Sequence, residues 1–205
     1  MKFVAISDTH NQHKKLTLPK ADIIIHAGDV SGRGHPQEIF EFLEWYRSLD
    51  YEFKILIAGN HDFYFEDHPD FIPEGIIYLN DNGTNINGIN IWGSPIQPEF
   101  YNWAFNRKRG KEISKHWDII PDDIDLLITH GPPFGYLDTN SYMQRVGCVD
   151  LLKRVDEIKP KYHVFGHVHE GYGIKRNDKG TRFINASVLN EHYNLVNQPI
   201  TFHMS

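Results

Sequence analysis

Carboxylate and imidazole side chains recur along this chain in five short clusters: Asp8-Thr9-His10, Gly28-Asp29, Gly59-Asn60-His61-Asp62, His130-Gly131 and Gly166-His167-Val168-His169. Imidazole nitrogens with carboxylate and amide oxygens, and no thiolate, form a donor set suited to Mn, Fe or Zn, of which Mn is favoured. A pair of such ions activates water and stabilises charge growing on a phosphoryl group. In an extended segment, residues two apart face the same side. Asp8 with His10, and His167 with His169, are therefore expected to present paired ligands in one direction.

Each cluster follows an apolar, β-prone run: Lys2 to Ser7, Asp22 to Ala27, Phe53 to Ala58, Leu126 to Thr129 and Tyr162 to Phe165. Runs apolar nearly throughout read as centrally buried strands, so one sheet could aim all five clusters at one place. Open α/β sheets bind ligands beyond the carboxyl ends of their strands, where the clusters fall. Between strands, Pro36 to Leu49 carries Ile39, Leu43 and Tyr46 at helical spacing, and Val149 to Ile158 reads as a second helix stopped by Pro160. Asn87-Gly88 between Ile86 and Ile89-Asn90-Ile91-Trp92 signals a hairpin, as do Tyr172 to Lys175 and Thr181 to Ile184 around Asn177 to Gly180. These antiparallel pieces extend the sheet or form a second one packed on it.

Taken singly, each cluster has a plain alternative. Gly, Asn and Asp favour turns, Asp29 suits a helix cap, and a loop histidine often bonds backbone. Their joint occurrence, each after an apolar run, favours a metal centre. His26, His35, His116 and His163 read instead as structural or exposed, with His26 placed near the site.

Composition bounds the rest. The 205 residues suit one domain spanning 1–205, and 40% hydrophobic with 23% charged residues is ordinary for a globular chain. A net charge of −6 lacks the footprint of an extended nucleic-acid binder. The lone Cys148 cannot form an internal disulfide and points to a reducing, cytoplasmic setting. The run Phe3 to Ile6 is broken at Asp8, short of a signal-peptide core or a membrane span, so no membrane partner is expected.

In order and content, the set D-x-H, G-D, G-N-H-D, H-G and G-H-x-H resembles the calcineurin-like metallophosphoesterases. A closer likeness covers Gly93-Ser94-Pro95, Pro98-Glu99-Phe100, Trp103-Ala104-Phe105-Asn106, Arg109-Gly110, Ile120 to Asp123 and Leu127 to Pro133. That stretch is similar to the branch called metallophosphoesterase domain-containing proteins, related to class III cyclic-nucleotide phosphodiesterases. The resemblance implies an α/β fold (α+β by some schemes), a four-layer αββα sandwich of two packed mixed sheets with the centre at the strands' carboxyl ends.

It further implies that Asp8, His10, Asp29 and His169 hold one divalent ion, and Asp29, Asn60, His130 and His167 the other. His61 is implied to face the substrate, with Asp62 orienting its ring. Two divalent ions about 3.7 Å apart repel by roughly 18 kcal/mol at an effective dielectric of about 20, so a bridging carboxylate is required and Asp29 is the candidate. The expected function is hydrolysis of small nucleotide-type phosphodiesters by a hydroxide activated at the dinuclear centre. The alternatives are a phosphomonoesterase or protein phosphatase using the same centre, and a non-catalytic scaffold of the same fold. The basic stretch Trp103 to Lys115 is expected to supply Asn106 and Arg109 to the phosphate and Trp103 or Phe105 to a base. Its Lys108, Lys111 and Lys115 read as a solvated helix start.

Overall fold

In the computed structural model, which describes residues 1–205, the apolar runs all become strands. Along the chain come β1 (Lys2–Ile6), β2 (Ile23–Ala27), α1 (Pro36–Ser48), β3 (Phe53–Ile57), α2 (Phe63–Asp67), β4 (Ile77–Tyr78), β5 (Asn82–Ile86) and β6 (Ile89–Ser94). There follow β7 (Gln97–Pro98), β8 (Asn106–Arg107), α3 (Lys111–Asp118), β9 (Leu126–Thr129), α4 (Val149–Ile158), β10 (Tyr162–Phe165), β11 (Gly173–Arg176), β12 (Arg182–Asn185) and β13 (Ile200–His203). They build two large sheets, ordered β13-β1-β2-β3-β4 and β11-β12-β10-β9-β6-β5. Both are mixed: β1, β2 and β3 pair in parallel while β13 runs antiparallel to β1, and β6, β9, β10 and β12 are parallel with antiparallel β5 and β11 at the edges.

The period of two along each strand divides the core. Phe3, Ala5, Ile23, Ile25, Ile55 and Ile57 of the first sheet join Ile91, Leu126, Ile128, Val164 and Ile184 of the second in the core between the sheets. Their neighbours Val4, Ile6, Ile24 and Leu56 pack outward in the cluster that includes Ile39, Phe42, Leu43 and Tyr46 of α1. On the other side Leu127, Phe165 and Phe183 pack in the cluster with Trp117 of α3 and Leu151 and Val155 of α4. Burial on both faces is why these strands read as continuous apolar runs. The Tyr46 hydroxyl pins α1 to its sheet, lying 2.7 Å from Ile55 O and 3.1 Å from Ile24 O.

Helix ends follow local chemistry. Pro36 opens α1 at its first turn, and the Cys148 sulfur caps α4 by accepting from Leu151 N–H. Lys159, left-handed at φ 49, ends α4 just before Pro160. The β5–β6 hairpin turns through Asn87 (φ 52) and Gly88 (φ 86), as its sequence predicts. The expectation of one sheet aiming every cluster does not hold: β1, β2 and β3 belong to one sheet, β9 and β10 to the other. No helix is long and apolar enough to cross a membrane.

Two histidines of the strands are wholly buried and neutral. The His26 Nδ1 accepts from Gly28 N–H at 3.3 Å, which leaves Nε2–H facing Thr9 Oγ1 at 3.0 Å. The Thr129 hydroxyl donates to Gly131 O, so it accepts from His163 Nε2–H at 2.8 Å. Burial pushes both rings down to about 3. The unfolded chain then binds these protons near pH 6.5 while the folded one refuses them, so stability is full above that value and is lost as pH falls toward 3. Each ring is expected to contribute a loss of up to about 1.4 kcal/mol per pH unit below pH 6. Urea midpoints between pH 7 and pH 4.5 measure it, and His163→Gln should flatten the slope if the ring is responsible.

Candidate metal centre

The carboxyl ends of β1, β2 and β3 meet those of β9 and β10, and every cluster residue predicted as a ligand lies there. Asp8, Asp29, Asn60 and His130 are buried to within 2% exposure. Three groups of donor atoms lie within 4.8 Å of one another: Asp8, His10 and His169; His10, Asp29 and His61; Asp29, His130 and His167. Asp29 Oδ2 is 3.3 Å from His130 Nε2 and 3.8 Å from His10 Nε2, and Asp8 Oδ1 is 3.5 Å from His169 Nε2. Asn60 Oδ1 lies 2.9 Å from His130 Nε2, which adds it to the last group.

The expected extended backbone is absent. Asp8 (φ 55), His10 (φ 37), Asp29 (φ 58) and His167 (φ 68) are all left-handed. The chain turns sharply at each strand end, and polar residues with short-range hydrogen bonds tolerate that region best. The turns are pinned by backbone: Asp8 N–H donates to Gly28 O at 2.9 Å and His10 N–H to Asp29 O at 3.2 Å. His167 N–H donates to the Asp8 carboxylate, at 3.0 Å to Oδ2, and His61 N–H donates to Asp29 Oδ1 at 2.8 Å.

Imidazole orientation is set from behind. The Nδ1 atoms of His10, His130, His169 and His61 lie 3.0, 2.9, 2.8 and 2.6 Å from the carbonyls of Ser31, Ala27, Asn190 and Gly32. Each Nδ1–H is thereby committed, and Nε2 is left as the donor toward the cluster. His10 Nε2 is buried with no hydrogen-bond partner. A divalent ion fits both facts: it needs unprotonated nitrogens aimed inward, and it would satisfy the orphaned one.

The electrostatics of the cluster show the same demand for positive charge. Burial works to raise the Asp8 and Asp29 carboxyls, but His169 beside Asp8 and His130 beside Asp29 hold both below the usual range. Reciprocally, burial works against the charged rings, yet Asp29 lifts His130 and Asp8 lifts His169, each to about 9. Burial, reinforced by the His130 charge, pushes His167 down to about 3.

Other predicted residues fall in different places. Asp62 does not touch the His61 ring, which Gly32 O holds instead. Its buried carboxylate accepts from Ser31 Oγ (2.7 Å), Gly59 N–H (2.9 Å), Ser31 N–H (3.0 Å) and Val30 N–H (3.2 Å), locking the Asp29 loop to the Asn60 loop. Burial and the Asp29 charge push it up to about 6 against those bonds. Asn106 does not line the cavity; its amide donates to Phe100 O and Tyr101 O and brackets a loop. Arg109 does line it, with two nitrogens donating to Gly147 O and Val146 O at 2.8 Å each. Phe105 is core, whereas Trp103 faces the cavity with its ring 4.2 Å from that of His61. The cavity is about 590 Å³ and is also lined by Phe100, Arg145, Glu170 and Tyr193.

Three contributors escaped the sequence reading: Ser187, whose hydroxyl donates to Asp8 Oδ2 at 2.7 Å, Asn190, whose carbonyl holds His169, and Tyr193. The signal was present, because they follow the apolar run Phe183-Ile184 as the other clusters follow theirs. The histidine of this segment, His192, is exposed and lies beside Glu191.

With this geometry in place, the comparisons are direct. Residues 1–171 match the family described as calcineurin-like phosphoesterase. The chain belongs to that family, and it is a hydrolase of phosphate esters. It is 43% identical to the human metallophosphoesterase domain-containing protein 1 over 227 residues, spanning 97% of this chain and 69% of that protein. A UPF0046 protein of Caenorhabditis elegans is 37% identical over 222 residues, spanning 100% of this chain and 75% of its own. The phosphopantetheinyl hydrolase of Mycobacterium tuberculosis shares the fold, with a TM-score of 0.65 at 17% identity over 94% of this chain and 90% of that one.

Of the cluster glycines, Gly28, Gly59 and Gly166 are steric requirements and Gly131 is not. A Cβ at Gly166 would stand 2.1 Å from Asp8 Oδ2 and Ser7 Oγ, and one at Gly59 would stand 2.2 Å from Asp29 Oδ1. At Gly131 the nearest atom is Gln97 Cβ at 3.8 Å. Gly166→Ala is therefore expected to cost about 1–3 kcal/mol or more by overpacking, lowering Tm by several degrees, while Gly131→Ala stays close to wild type. Thermal melts of the two variants side by side check this.

Proposed function

We propose that this chain hydrolyses small phosphodiesters of the nucleotide type at a dinuclear centre. Asp8, His10, Asp29 and His169 would hold one divalent ion, and Asp29, Asn60, His130 and His167 the other. The observation that carries this reading is the place of Asp29, whose carboxylate belongs at once to the group with His10 and to the group with His130 and His167. One buried carboxylate between two sets of nitrogen donors is what a pair of mutually repelling cations requires. Mn is the favoured ion for these nitrogen and oxygen donors, and the cytoplasm the favoured compartment for a chain whose one cysteine is free and buried.

When bound, the two ions would supply Lewis acidity toward the phosphoryl oxygens and a nucleophilic water at neutral pH. The chain's own residues do the rest. His61, its Nδ1 held by Gly32 O, has its other ring nitrogen as the atom where a proton is held or moved, and the Trp103 ring packs beside it at a tilt of 30°. Asp62 keeps the two loops in register without entering the site. Room beside Trp103 and Phe100 in the 590 Å³ cavity suits the leaving alcohol together with the second ester substituent that a diester carries on phosphorus and a monoester lacks. A relative named probable glycerophosphodiester phosphodiesterase, from Arcobacter nitrofigilis, is 28% identical over 165 residues, spanning 74% of this chain and 58% of that protein, and supports the diester reading. The small cavity and the net charge of −6 argue against extended nucleic acid as a partner.

Asp29→Asn and His167→Ala are expected to deplete bound metal and activity together; two metals per chain in either variant would refute the ligand assignment. His61→Ala should retain its metals and lose about 10²–10⁴ in kcat, the range of a lost general acid or base. Because His61 sits as near Asp29 and His10 as a ligand would, elemental analysis of this variant separates the two roles. A parallel assay of cyclic nucleotides, linear diesters and monoesters, with Mn or chelator, should show chelator-sensitive turnover that is fastest on diesters. Faster monoester turnover would reverse the substrate assignment.

A further inference from the structure

The loop after β12 holds Tyr193 in a way that the ligand set does not explain. Asn190 N–H donates to Asn194 O at 3.0 Å and Tyr193 N–H to Asn190 O at 2.8 Å. Asn190 Oδ1 accepts from His192 N–H at 3.1 Å and Asn194 N–H at 2.9 Å. The same frame recurs across the cavity at Asn140, whose N–H donates to Gln144 O at 3.0 Å, and Met143 N–H donates to Asn140 O at 2.9 Å. There Asn140 Oδ1 accepts from Tyr142 and Gln144 N–H, both at 3.0 Å. Both loops close on an antiparallel bridge, Thr139 with Arg145 and Leu189 with Leu195. Each holds its fourth residue left-handed, with φ 59 at Met143 and at Tyr193.

The frames match and the side chains do not. Met143 is 84% exposed. The Tyr193 ring instead turns to the centre, 4.9 Å from the His10 ring and 5.3 Å from the His169 ring, and forms part of the cavity wall. A bulky residue in the left-handed region has to be held there by its surroundings. Gln12 adds to the hold, its Nε2 donating to Tyr193 O at 2.8 Å. The phenol hydroxyl has no hydrogen-bond partner within the chain, and the residue, 48% exposed, opens on the cavity that Asp29 also lines. A donor left uncommitted on a backbone-anchored residue, in the wall of the cavity that holds the ligand cluster, is what a phosphoryl oxygen needs.

Resting on the reading of this site as a phosphodiester hydrolase, we propose that Tyr193 is a catalytic residue whose phenol donates a hydrogen bond to a phosphoryl oxygen of the bound ester. His10 and His169, against which the ring packs, are then ligands, and the hydroxyl is the part that meets substrate. Tyr193→Phe keeps the ring and removes only the hydroxyl. With Mn supplied, the variant should retain wild-type metal content, bind inorganic phosphate about tenfold more weakly by titration calorimetry, and lose about tenfold or more in kcat on a chromogenic diester. Tyr193→Ala, which also removes the packing on His10 and His169, should lose metal affinity in addition. Unchanged phosphate binding and kcat in Tyr193→Phe, beside an active wild type, overturn this role alone. Loss of metal in Tyr193→Phe also overturns it, because the hydroxyl would then act on the centre and not on substrate. A metal-loaded wild type that neither binds phosphate nor cleaves any ester overturns the phosphodiesterase reading as well.

Discussion

Buried negative charge at the seam between two sheets is the constraint that organises this protein. Asp8 and Asp29 are almost wholly removed from water, and an uncompensated carboxylate in such a place would cost several kcal/mol. Part of the compensation comes from His130 and His169, whose pKa values are lifted to about 9 by the carboxylates they face.

Meeting that constraint dictates backbone elsewhere. Each strand end must present N–H groups and a side chain to the same small volume, which extended backbone cannot do. The chain turns left-handed at Asp8, His10, Asp29 and His167, at a conformational cost of order 1–3 kcal/mol each. These turns persist because neighbouring loops over-determine them. Asp62 ties the Asp29 turn to the Asn60 turn through four donors, and His167 N–H with Ser187 Oγ fixes the Asp8 carboxylate from the second sheet. Gly59 and Gly166 make room for these approaches by having no side chain to collide.

What could be read from sequence follows from the same physics. The five strands feeding the site are buried on both faces, so their apolar runs were plain, and the polar residues after them stood out by contrast. Strands β4 and β7 are two residues long, and β13 alternates buried and exposed positions beside a polar tail, so none carried a run to notice. The ligand-type residues are legible by chemistry and their meeting at the strands' carboxyl ends by topology, but the alternation expected to pair Asp8 with His10 and His167 with His169 gives way to left-handed turns. Asp62 is expected at the His61 ring from its place in sequence and Asn106 at the phosphate from the family resemblance, yet each side chain is aimed by other hydrogen bonds. Ser187, Asn190 and Tyr193 act through one hydroxyl, one carbonyl and one ring, none of which a motif of ligand types can flag.

The paired loops at Asn140 and Asn190 show how a scaffold can hold chemistry constant and vary what surrounds it. One asparagine side chain, bonding two backbone N–H groups, fixes the loop shape irrespective of the residues between them, because the frame is made of backbone atoms. Position four can then be Tyr193, turned inward over the cluster, or Met143, turned out to solvent, at equal backbone cost. Arg109, which engages the carbonyls of Val146 and Gly147, and Glu170, which accepts from Ser141 N–H at 2.6 Å, belong to the support of the Asn140 loop. The charges of these two residues are thereby held as structure, and on the proposed reading the attraction for phosphate resides in the ions, with the Tyr193 hydroxyl beside them. A centre of that kind draws one phosphoryl group strongly and leaves the shape of the two loops to select what is attached to it.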